Sequence, residues 1–192
     1  VSMLSQPIEK TVTLTKDTVL DFVLTNEALD AVLISAVRVN ADSPITYSNL
    51  EKEEIEKRNL GQDIPILMNF MPSVVTTSDA GAGVGYTGIR VRGSDATRVN
   101  VTINGIPYND AESQGTFWVN LPDMASSTES IQLQRGVGTS TNGSGAFGAS
   151  LSLLTDATSE KANGEISNSF GSFNTRRHTV KFSTGKVNEN FE

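Results

Sequence analysis

Catalysis by side chains needs a nucleophile beside a base, a carboxylate pair or a metal, and this chain offers few such residues. Its single histidine, His178, lies in a predicted strand, where a lone histidine is usually a surface residue. Ser144 lacks the G-x-S-x-G pattern of a hydrolase nucleophile. Asp110 and Glu112 lie in a predicted loop without the spacing of a calcium site. Because cysteine is also absent, we predict no catalytic residues, no metal site and no cofactor.

The segment GSGAFG, from Gly143 to Gly148, fits the dinucleotide-binding pattern G-x-G-x-x-G. That pattern binds a pyrophosphate only when it follows a strand and opens a helix, whose N-terminus holds the anion. Here ASLSLLT follows, with apolar residues at alternating positions, which predicts a strand. The segment is therefore predicted to be a tight connection between strands, and a nucleotide-using enzyme would rest on this motif alone.

Three arginines are a stronger candidate for function. Arg90 and Arg92 are expected to share one strand face, and Arg135 ends another strand, so all three could project from one sheet surface. One alternative is that they are exposed to solvent, and the other is that they pair with carboxylates of a surrounding structure through bidentate guanidinium contacts. The sequence leaves both alternatives open.

Composition excludes several classes of partner. A net charge of −7 and a pI near 4.8 argue against nucleic acid, which requires a clustered basic surface. No apolar run approaches the length of a membrane-spanning helix. The chain starts with VSMLSQPIEK, which has no signal-peptide pattern, and we expect it to be a fragment from the middle of a longer protein.

The elements that would position these residues are mostly strands. Alternating apolar residues predict strands around Val99 to Ile103, at Ile131 and Leu133, and at Leu151 and Leu153. The pair Asn104-Gly105 predicts a two-residue hairpin turn. SVVTT, from Ser73 to Thr77, predicts a further strand.

Helices are expected between residues 48 and 72. Ser48 and Glu51 have the spacing of a capping box, which predicts a helix from Asn49 to about Asn59 that ends at Gly61. Asp63 followed by Pro65 predicts the start of a second helix, whose apolar face would include Ile64, Leu67 and Phe70 or Met71.

Two weaker strand patterns lie at the ends of the chain. Residues 11–24 alternate as a hairpin with one buried side. The segments Gly164 to Gly171 and Arg176 to Lys186 alternate around a turn, with Ile166, Phe170, Val180 and Phe182 on single faces. This pattern suits transmembrane barrel strands, and equally any other hairpin.

The segments GIRVRG, RVNVTINGIP and IQLQRGVGTSTNGSGAFGASLSLLT together resemble the plug domain of TonB-dependent outer-membrane receptors. Asn104 stands where the family more often has aspartate, Asn142 where it usually has tyrosine, and Ala149 where it usually has glycine. The resemblance implies an α+β fold: a small mixed β-sheet plug with peripheral short helices, followed by the first hairpin of a transmembrane β-barrel.

The resemblance also implies a domain order. Residues 1–28 would be the last strands of a carboxypeptidase-regulatory-like β-sandwich, as in receptors of Bacteroidetes type. Residues 29–41 would be the TonB box and linker, residues 42–157 the plug, and residues 158–192 the first barrel strands. The implied TonB box, which would bind the C-terminal domain of TonB by strand addition, is Ala31, Val32, Leu33, Ile34, Ser35 and Ala36.

The same resemblance implies that the chain would be no enzyme but a gate in the outer membrane of a Gram-negative bacterium. The gate would admit a small molecule such as a ferric siderophore, cobalamin or a glycan. Arg90, Arg92 and Arg135 would latch the plug to its own β-barrel. Three loops would face the substrate: the first from Ser78 to Tyr86, the second from Gly93 to Thr97 and the third from Tyr108 to Trp118. The residues expected to contact the substrate are Tyr86, Ser94, Asp95, Tyr108, Asn109, Asp110, Glu112, Gln114 and Trp118. Phe117 and Trp118 could equally be core. The alternative function is a self-contained periplasmic ligand-binding or adaptor module.

Overall fold

The computed structural model describes residues 38–39, 43–138, 141, 143, 145–157, 159 and 161–185. The predicted hairpin at 11–24 and the implied TonB box at 31–36 lie outside the described residues. The strands are β1 (Tyr47–Glu51), β2 (Val74–Ser78), β3 (Thr87–Val91), β4 (Val99–Ile103), β5 (Ile106–Pro107), β6 (Thr128–Arg135), β7 (Ala149–Thr155), β8 (Lys161–Phe170) and β9 (Arg176–Gly185). The α-helices are α1 (Lys52–Arg58) and α2 (Ile64–Leu67), and short 3₁₀ helices occupy Met68–Phe70, Ala96–Arg98, Trp118–Asn120, Met124–Ser127 and Ser172–Asn174.

Five of these strands form a mixed sheet in the order β1-β6-β7-β4-β5, called the central sheet below. β4 runs parallel to β7, and the other neighbours in the central sheet are antiparallel. β2 and β3 form a separate antiparallel ribbon, as do β8 and β9. The described residues therefore form an α+β fold with a mixed sheet and short helices, as predicted.

The hydrophobic core lies on one face of the central sheet. Alternate residues of each strand point to this face, and the most buried of them are Leu50, Val99, Val101, Ile131, Leu133, Leu151 and Leu153. Helix α1 packs against β6 and contributes Ile55, while α2 contributes Ile64 and Leu67. The two helices and the β2–β3 ribbon therefore cover the apolar side of the sheet.

The opposite face of the central sheet is polar and is also buried. Its side chains are Thr102, Ser130, Gln132, Gln134, Ser150 and Ser152, each no more than 4% exposed. We call these residues the polar face. Since a buried polar group needs a hydrogen-bond partner, this face must be covered by groups that can donate or accept.

Local turn signals in the sequence agree with the structure where they act over a few residues. Asn104 and Gly105 join β4 to β5 with φ angles of 50° and 80°, the left-handed geometry of a two-residue hairpin turn. Asp63 precedes α2 with Pro65 in its first turn. The sequence left Phe70 and Met71 as alternatives for the last core residue of this segment. Met71 is buried and Phe70 is 74% exposed, so Met71 is the core residue.

The predicted capping box at Ser48 is wrong. Ser48 lies in β1 opposite Leu133, and its hydroxyl accepts a hydrogen bond from Arg135 instead of capping a helix. The helix starts at Lys52, and its N-cap, Glu51, makes no side-chain capping bond. Pairing of β1 with β6, which is distant in sequence, overrides the local helix signal.

The strands β8 and β9 form a regular antiparallel hairpin, called the terminal hairpin below. Its outward face carries Ile166, Phe170, Val180 and Phe182, which are between 59% and 79% exposed. Its other face is polar and lies against the rest of the molecule through side chains of β9. None of the helices in the part of the chain that the structure describes is long and apolar enough to cross a membrane.

Candidate functional site

The structure brings two of the three candidate arginines together. A Cβ atom built on Gly136, the residue after Arg135, would lie 3.1 Å from Nη1 of Arg92. Arg135 donates from Nη1 to the Ser48 hydroxyl at 2.7 Å and from Nη2 to the Tyr47 carbonyl at 3.3 Å. Burial and the charge of Arg92 together lower the pKa of Arg135. Among the described residues, no carboxylate lies within ion-pair distance of either guanidinium.

The expectation that Arg90 and Arg92 share a strand face is wrong. β3 ends at Val91, and Arg92 has a φ angle of 53°, so it lies in the turn that follows the strand. Arg90 is exposed on β3, and its charge acts on Asp95, not on Arg135. The structure therefore groups Arg92 with Arg135 and leaves Arg90 apart from them.

Two of the residues expected to face a substrate serve to build their own loop. The side-chain carbonyl of Asn109 accepts a hydrogen bond from the Val101 amide at 2.7 Å, and its amide donates to the carbonyls of Val99 and Gln114. The carboxylate of Asp110 accepts from the amides of Glu112 and Ser113 and from the Ser113 hydroxyl. The bonds from Ser113 lower the pKa of Asp110.

The second expected loop is built in the same way. Asp95 accepts hydrogen bonds from the backbone amide and the hydroxyl of Thr97, both at 3.0 Å, and these bonds lower its pKa. The Ser94 hydroxyl donates to the Val91 carbonyl at 2.6 Å. The Asp95 carboxylate is nevertheless exposed and stays ionised at neutral pH, so it remains accessible to a ligand.

The aromatic residues of the third loop differ in position. Trp118 is 3% exposed and belongs to the core, so the expectation that it faces a substrate is wrong and the alternative is correct. Tyr108 packs partly buried against the same core, whereas Phe117 is 46% exposed. Burial of Trp118 is favourable because it removes the large apolar area of the ring from water.

The exposed candidates lie on separate loops. Tyr86 is 67% exposed, and Glu112 and Gln114 are exposed in the middle of the third loop. Between the second and third loops the structure encloses a mostly apolar cavity of about 200 Å³, whose walls include Ile89, Thr97 and Phe117. These two loops are thus adjacent, and each carries ionised or hydrogen-bonding groups at its surface.

A residue that the sequence analysis missed, Arg38, holds a segment against the polar face. Its guanidinium donates to the hydroxyl of Ser130 at 2.8 Å and to the carbonyls of Ser130 and Ser152 at 3.0 and 3.1 Å. Gln132 accepts from the Val39 amide at 2.8 Å and donates to the Val39 carbonyl at 3.0 Å. Burial lowers the pKa of Arg38, and the negative charge of Glu51 offsets part of this lowering.

The signal for Arg38 is present in the sequence. In β6 and β7, serine and glutamine alternate with isoleucine and leucine, so both faces of a buried strand pair need a covering layer. A polar face in the middle of a sheet requires donors from elsewhere in the chain, and the arginine ahead of β1 supplies them.

A second missed cluster links four elements through charge. Asp156, which follows β7, accepts from Lys52 of α1 at 2.7 Å and from Lys181 of β9 at 2.9 Å. Lys52 also contacts Glu129 of β6 at 3.3 Å. Burial opposes ionisation of Asp156, but the hydrogen bonds from the two lysines outweigh it, so its pKa is lowered. Burial lowers the pKa of Lys52, but the hydrogen bonds and charges of Asp156 and Glu129 outweigh burial, so the pKa of Lys52 is raised.

The glycine-rich segment forms a connection between strands, not the start of a helix. Gly148 donates its amide to the Arg98 carbonyl at 3.0 Å and accepts from the Gly136 amide at 2.9 Å, and β7 starts at the next residue. In the described parts of the chain, no three histidine, aspartate or glutamate side chains are grouped so as to hold a metal ion.

Comparison with known proteins identifies one family. A family model described as TonB-dependent receptor plug domain matches residues 39–150. A search of curated protein sequences gives no match.

Solved structures of receptors resemble this chain over most of its length. The siderophore receptor PirA from Acinetobacter baumannii is 27% identical, with a TM-score of 0.51, over 62% of this chain and 18% of that one. The ferripyoverdine receptor of the outer membrane of Pseudomonas aeruginosa is 19% identical, with a TM-score of 0.60, over 78% of this chain and 19% of that one. The ferric yersiniabactin uptake receptor FyuA from Yersinia pestis is 16% identical, with a TM-score of 0.58, over 76% and 22%. The last two similarities show the fold alone, and the chain spans about a fifth of the length of these receptors.

Proposed function

Because the chain belongs to the plug-domain family of TonB-dependent receptors, we propose that it is the gate of an outer-membrane receptor for energy-coupled uptake of a scarce nutrient. The observation that carries this proposal is the family match over residues 39–150, which includes β1, β4, β5 and β6 of the central sheet and the first two residues of β7. In this function the chain has no catalytic role. It closes the lumen of its own β-barrel and is moved when the receptor is coupled to TonB.

The two faces of the terminal hairpin support the proposal that this hairpin is part of a barrel wall. Its outward face presents Ile166, Phe170, Val180 and Phe182 to solvent, while its polar face contacts the end of α1 at Asn59 and, just after β7, Asp156. Such alternation, apolar outside and polar inside, is typical of strands that face lipid on one side and a filled lumen on the other. A self-contained periplasmic module would expose this apolar face to water without a partner, which disfavours the alternative function.

Arg92 and Arg135 are proposed as the latch between plug and barrel. Arg90, two residues before Arg92 in the chain, lies on β3 apart from this pair. Two like charges this close repel each other, and the described residues provide them with no carboxylate. Carboxylates on the inner wall of the barrel would remove this repulsion through bidentate contacts. The pair therefore fits a wall that carries acidic side chains.

The proposed substrate is a small molecule bound above the three loops. Tyr86, Asp95, Asp110, Glu112 and Gln114 are the exposed candidates, and they combine a stacking surface with charged and hydrogen-bonding groups. A ferric siderophore is the first candidate, because the similar solved receptors are named for siderophores. Cobalamin and glycans are the other two classes to be tested.

The proposed TonB box, Ala31 to Ala36, ends two residues before Arg38. An extended, β-prone peptide binds a sheet edge of TonB mainly through main-chain hydrogen bonds. A pull on this segment would reach the Arg38 contacts with Ser130 and Ser152 before any strand of the central sheet. The proposal therefore connects the coupling segment directly to the polar face.

Growth of a strain that lacks the full-length receptor tests the function. The strain is supplied with one limiting source at a time: a ferric siderophore, cobalamin or a glycan. We expect growth on one class to depend on reintroduced receptor. If growth on every source is the same with and without the receptor, uptake of these nutrients is not its function.

Two variants of the TonB box sharpen the experiment. Leu33→Pro removes a backbone amide from the added strand and should abolish the growth that the receptor restores. Leu33→Ala keeps that amide and should retain most of it. Equal growth with both variants would refute the assignment of the box while leaving the transport function intact.

A further inference from the structure

Arg177 of β9 uses all of its guanidinium nitrogens in contacts with the globular part of the chain, by which we mean the described residues that precede β8. Its Nε donates to Oδ2 of Asp123 at 3.1 Å, and Nη1 donates to the Asn59 carbonyl at 3.2 Å. Its Nη2 donates to the hydroxyl of Ser126. The Arg177 side chain is 17% exposed, so it is the most buried charge among the ion pairs of the described residues.

The acceptors are held in place by bonds among themselves. Asn59, which ends α1 and is 6% exposed, accepts from the Gly61 amide at 2.9 Å through its side chain. Its amide group donates to Oδ1 of Asp123 at 3.4 Å and to the Ser126 hydroxyl at 3.2 Å. Each oxygen of the Asp123 carboxylate therefore has its own donor, Asn59 on one side and Arg177 on the other.

Backbone geometry leaves room for the arginine and directs the carboxylate. A Cβ atom on Gly61 would lie 3.2 Å from Cδ of Arg177, so any larger residue there would press on the aliphatic part of the arginine. Asp123 has a φ angle of 50°, a left-handed conformation that aspartate tolerates better than most residues.

The contacts match a planar guanidinium and not an ammonium group. Three acceptors, the Asp123 carboxylate, the Asn59 carbonyl and the Ser126 hydroxyl, surround three different nitrogens. A lysine carries one nitrogen on a flexible stem and cannot reach all three positions at once. The neighbouring Arg176 lies on the opposite, exposed side of β9, and among the described residues its side chain donates a hydrogen bond only to Asn174.

We propose that Asn59, Gly61, Asp123 and Ser126 form an arginine socket that fixes the terminal hairpin to the globular part of the chain, with Arg177 as the positioning residue. Here the cation is on the hairpin and the anion on the globular part, the reverse of the Arg92 and Arg135 latch. The socket lies on the side of the central sheet that carries α1, whereas Arg38 lies on the polar face. If the hairpin is barrel wall, which rests on the proposed function, the socket marks the side of the plug that stays attached to the wall when the Arg38 segment leaves.

Hydrogen exchange of the full-length protein tests the socket without any substrate. In Arg177→Gln we expect amide exchange of β9 and of residues 123–127 to rise about tenfold, because charged hydrogen bonds are lost. Arg177→Lys should raise it severalfold. The matched controls Arg176→Gln and Arg176→Lys should leave it unchanged. Exchange of β6 and β7 reports whether the central sheet is still folded in each variant.

A double-mutant cycle decides whether the contact is direct. Asp123→Asn combined with Arg177→Gln should accelerate exchange by less than the product of the two single effects, because each change removes the same bond. The cycle of Asp123→Asn with Arg176→Gln should be multiplicative. A multiplicative result in the first cycle, or equal effects of Arg177→Lys and Arg176→Lys, would overturn the socket. If Arg177→Gln unfolds the central sheet, the Arg177→Lys comparison decides in its place.

The outcome is independent of the growth assay. A coupled cycle with no receptor-dependent growth would keep the socket and reject the proposed gate. A multiplicative cycle with receptor-dependent growth would keep the gate and reject the socket.

Discussion

At the scale of single residues, Asn109 shows how a side chain can replace a strand. Its amide bonds to the backbone of Val99 and Val101 on β4 and to the Gln114 carbonyl, as a neighbouring strand would. β5 pairs with only the last two residues of β4, Thr102 and Ile103, so the start of β4 has no strand on that side. Asn109 therefore completes the edge of the central sheet and fixes the third loop to it.

We expect Asn109→Ala to lower the free energy of unfolding by about 1–3 kcal/mol, because backbone groups of β4 lose their partner. Asn109→Asp should be intermediate at best, since its carboxylate can accept from Val101 but cannot donate to the two carbonyls. Urea unfolding measures both. The control is Asn120→Ala, at an exposed position, which should change stability by less than about 0.5 kcal/mol. Equal losses at 109 and 120 would contradict this role.

Residue type alone could not separate the ligand-facing residues from the structural ones. Trp118 and Tyr86 are both aromatic residues in glycine-containing loops, yet Trp118 is 3% and Tyr86 67% exposed. The difference is set by long-range packing on the core, which local sequence does not encode. The expected position of Arg92 on the strand is wrong for a related reason: the alternating sequence pattern continues past Val91, whereas the backbone turns at Arg92.

At the scale of elements, the connection from β6 to β7 decides how the central sheet is assembled. It returns the chain so that β7 lies antiparallel to β6 and parallel to β4. Gly148 is placed between the Arg98 carbonyl and Gly136 just before β7 starts. The glycine pattern that resembles a nucleotide site thus serves the close approach of two backbones.

Two glycines of this segment should differ in their response to substitution by alanine. In Gly148→Ala the new Cβ would lie 2.9 Å from the Arg98 carbonyl oxygen, so we expect a loss of about 1–3 kcal/mol in unfolding free energy. Gly145→Ala meets no atom within 4 Å and should be neutral within about 0.5 kcal/mol. Thermal or urea unfolding distinguishes them. A neutral Gly148→Ala would mean that the close contact with Arg98 does not constrain the fold.

The sequence predicts elements well where the signal is local and periodic. The Asn104-Gly105 turn, the start of α2 after Asp63 and the alternation of β6 and β7 follow directly from residue type and spacing. Ser48 has an equally clear local signal for a helix cap but lies in a strand. The energy of pairing β1 with β6, far along the chain, exceeds that of one capping bond, and no local pattern reports it.

At the scale of the whole molecule, Asp156 joins parts of the chain that are far apart in sequence. Through Lys52 and Lys181 it connects α1, the end of β7 and the terminal hairpin. Because its pKa is lowered, Asp156 releases its proton more readily in the folded than in the unfolded chain. Its stabilisation is thus fully present above the ordinary aspartate pKa and is lost as the pH falls through the lower, folded value.

The pH dependence of stability should reveal this link. Asp156→Asn should be less stable than the unchanged chain at neutral pH. The difference should shrink as the pH falls below about 4, where the unfolded carboxyl is protonated. Unfolding monitored by circular dichroism across this range measures it. Glu54→Gln, on the exposed side of α1, is the matched control for loss of one carboxylate and should cost less stability than Asp156→Asn at neutral pH. A constant difference at every pH would contradict a role for the ionised carboxylate.

The buried polar face has a consequence for the free energy needed to remove the segment with Arg38 and Val39 from the central sheet. Uncovering an aliphatic sheet face would cost about 25 cal/mol for every Å² presented to water. Under Arg38 and Val39 the sheet presents hydroxyls and amides instead, from Ser130, Gln132 and Ser152. Water can take over each of these bonds as the segment leaves, so the net loss is about 0.5–1.5 kcal/mol per bond. In the proposed gate, the Arg38 segment is therefore held at rest by contacts that hydration readily replaces, and the sheet surface left behind is already wettable.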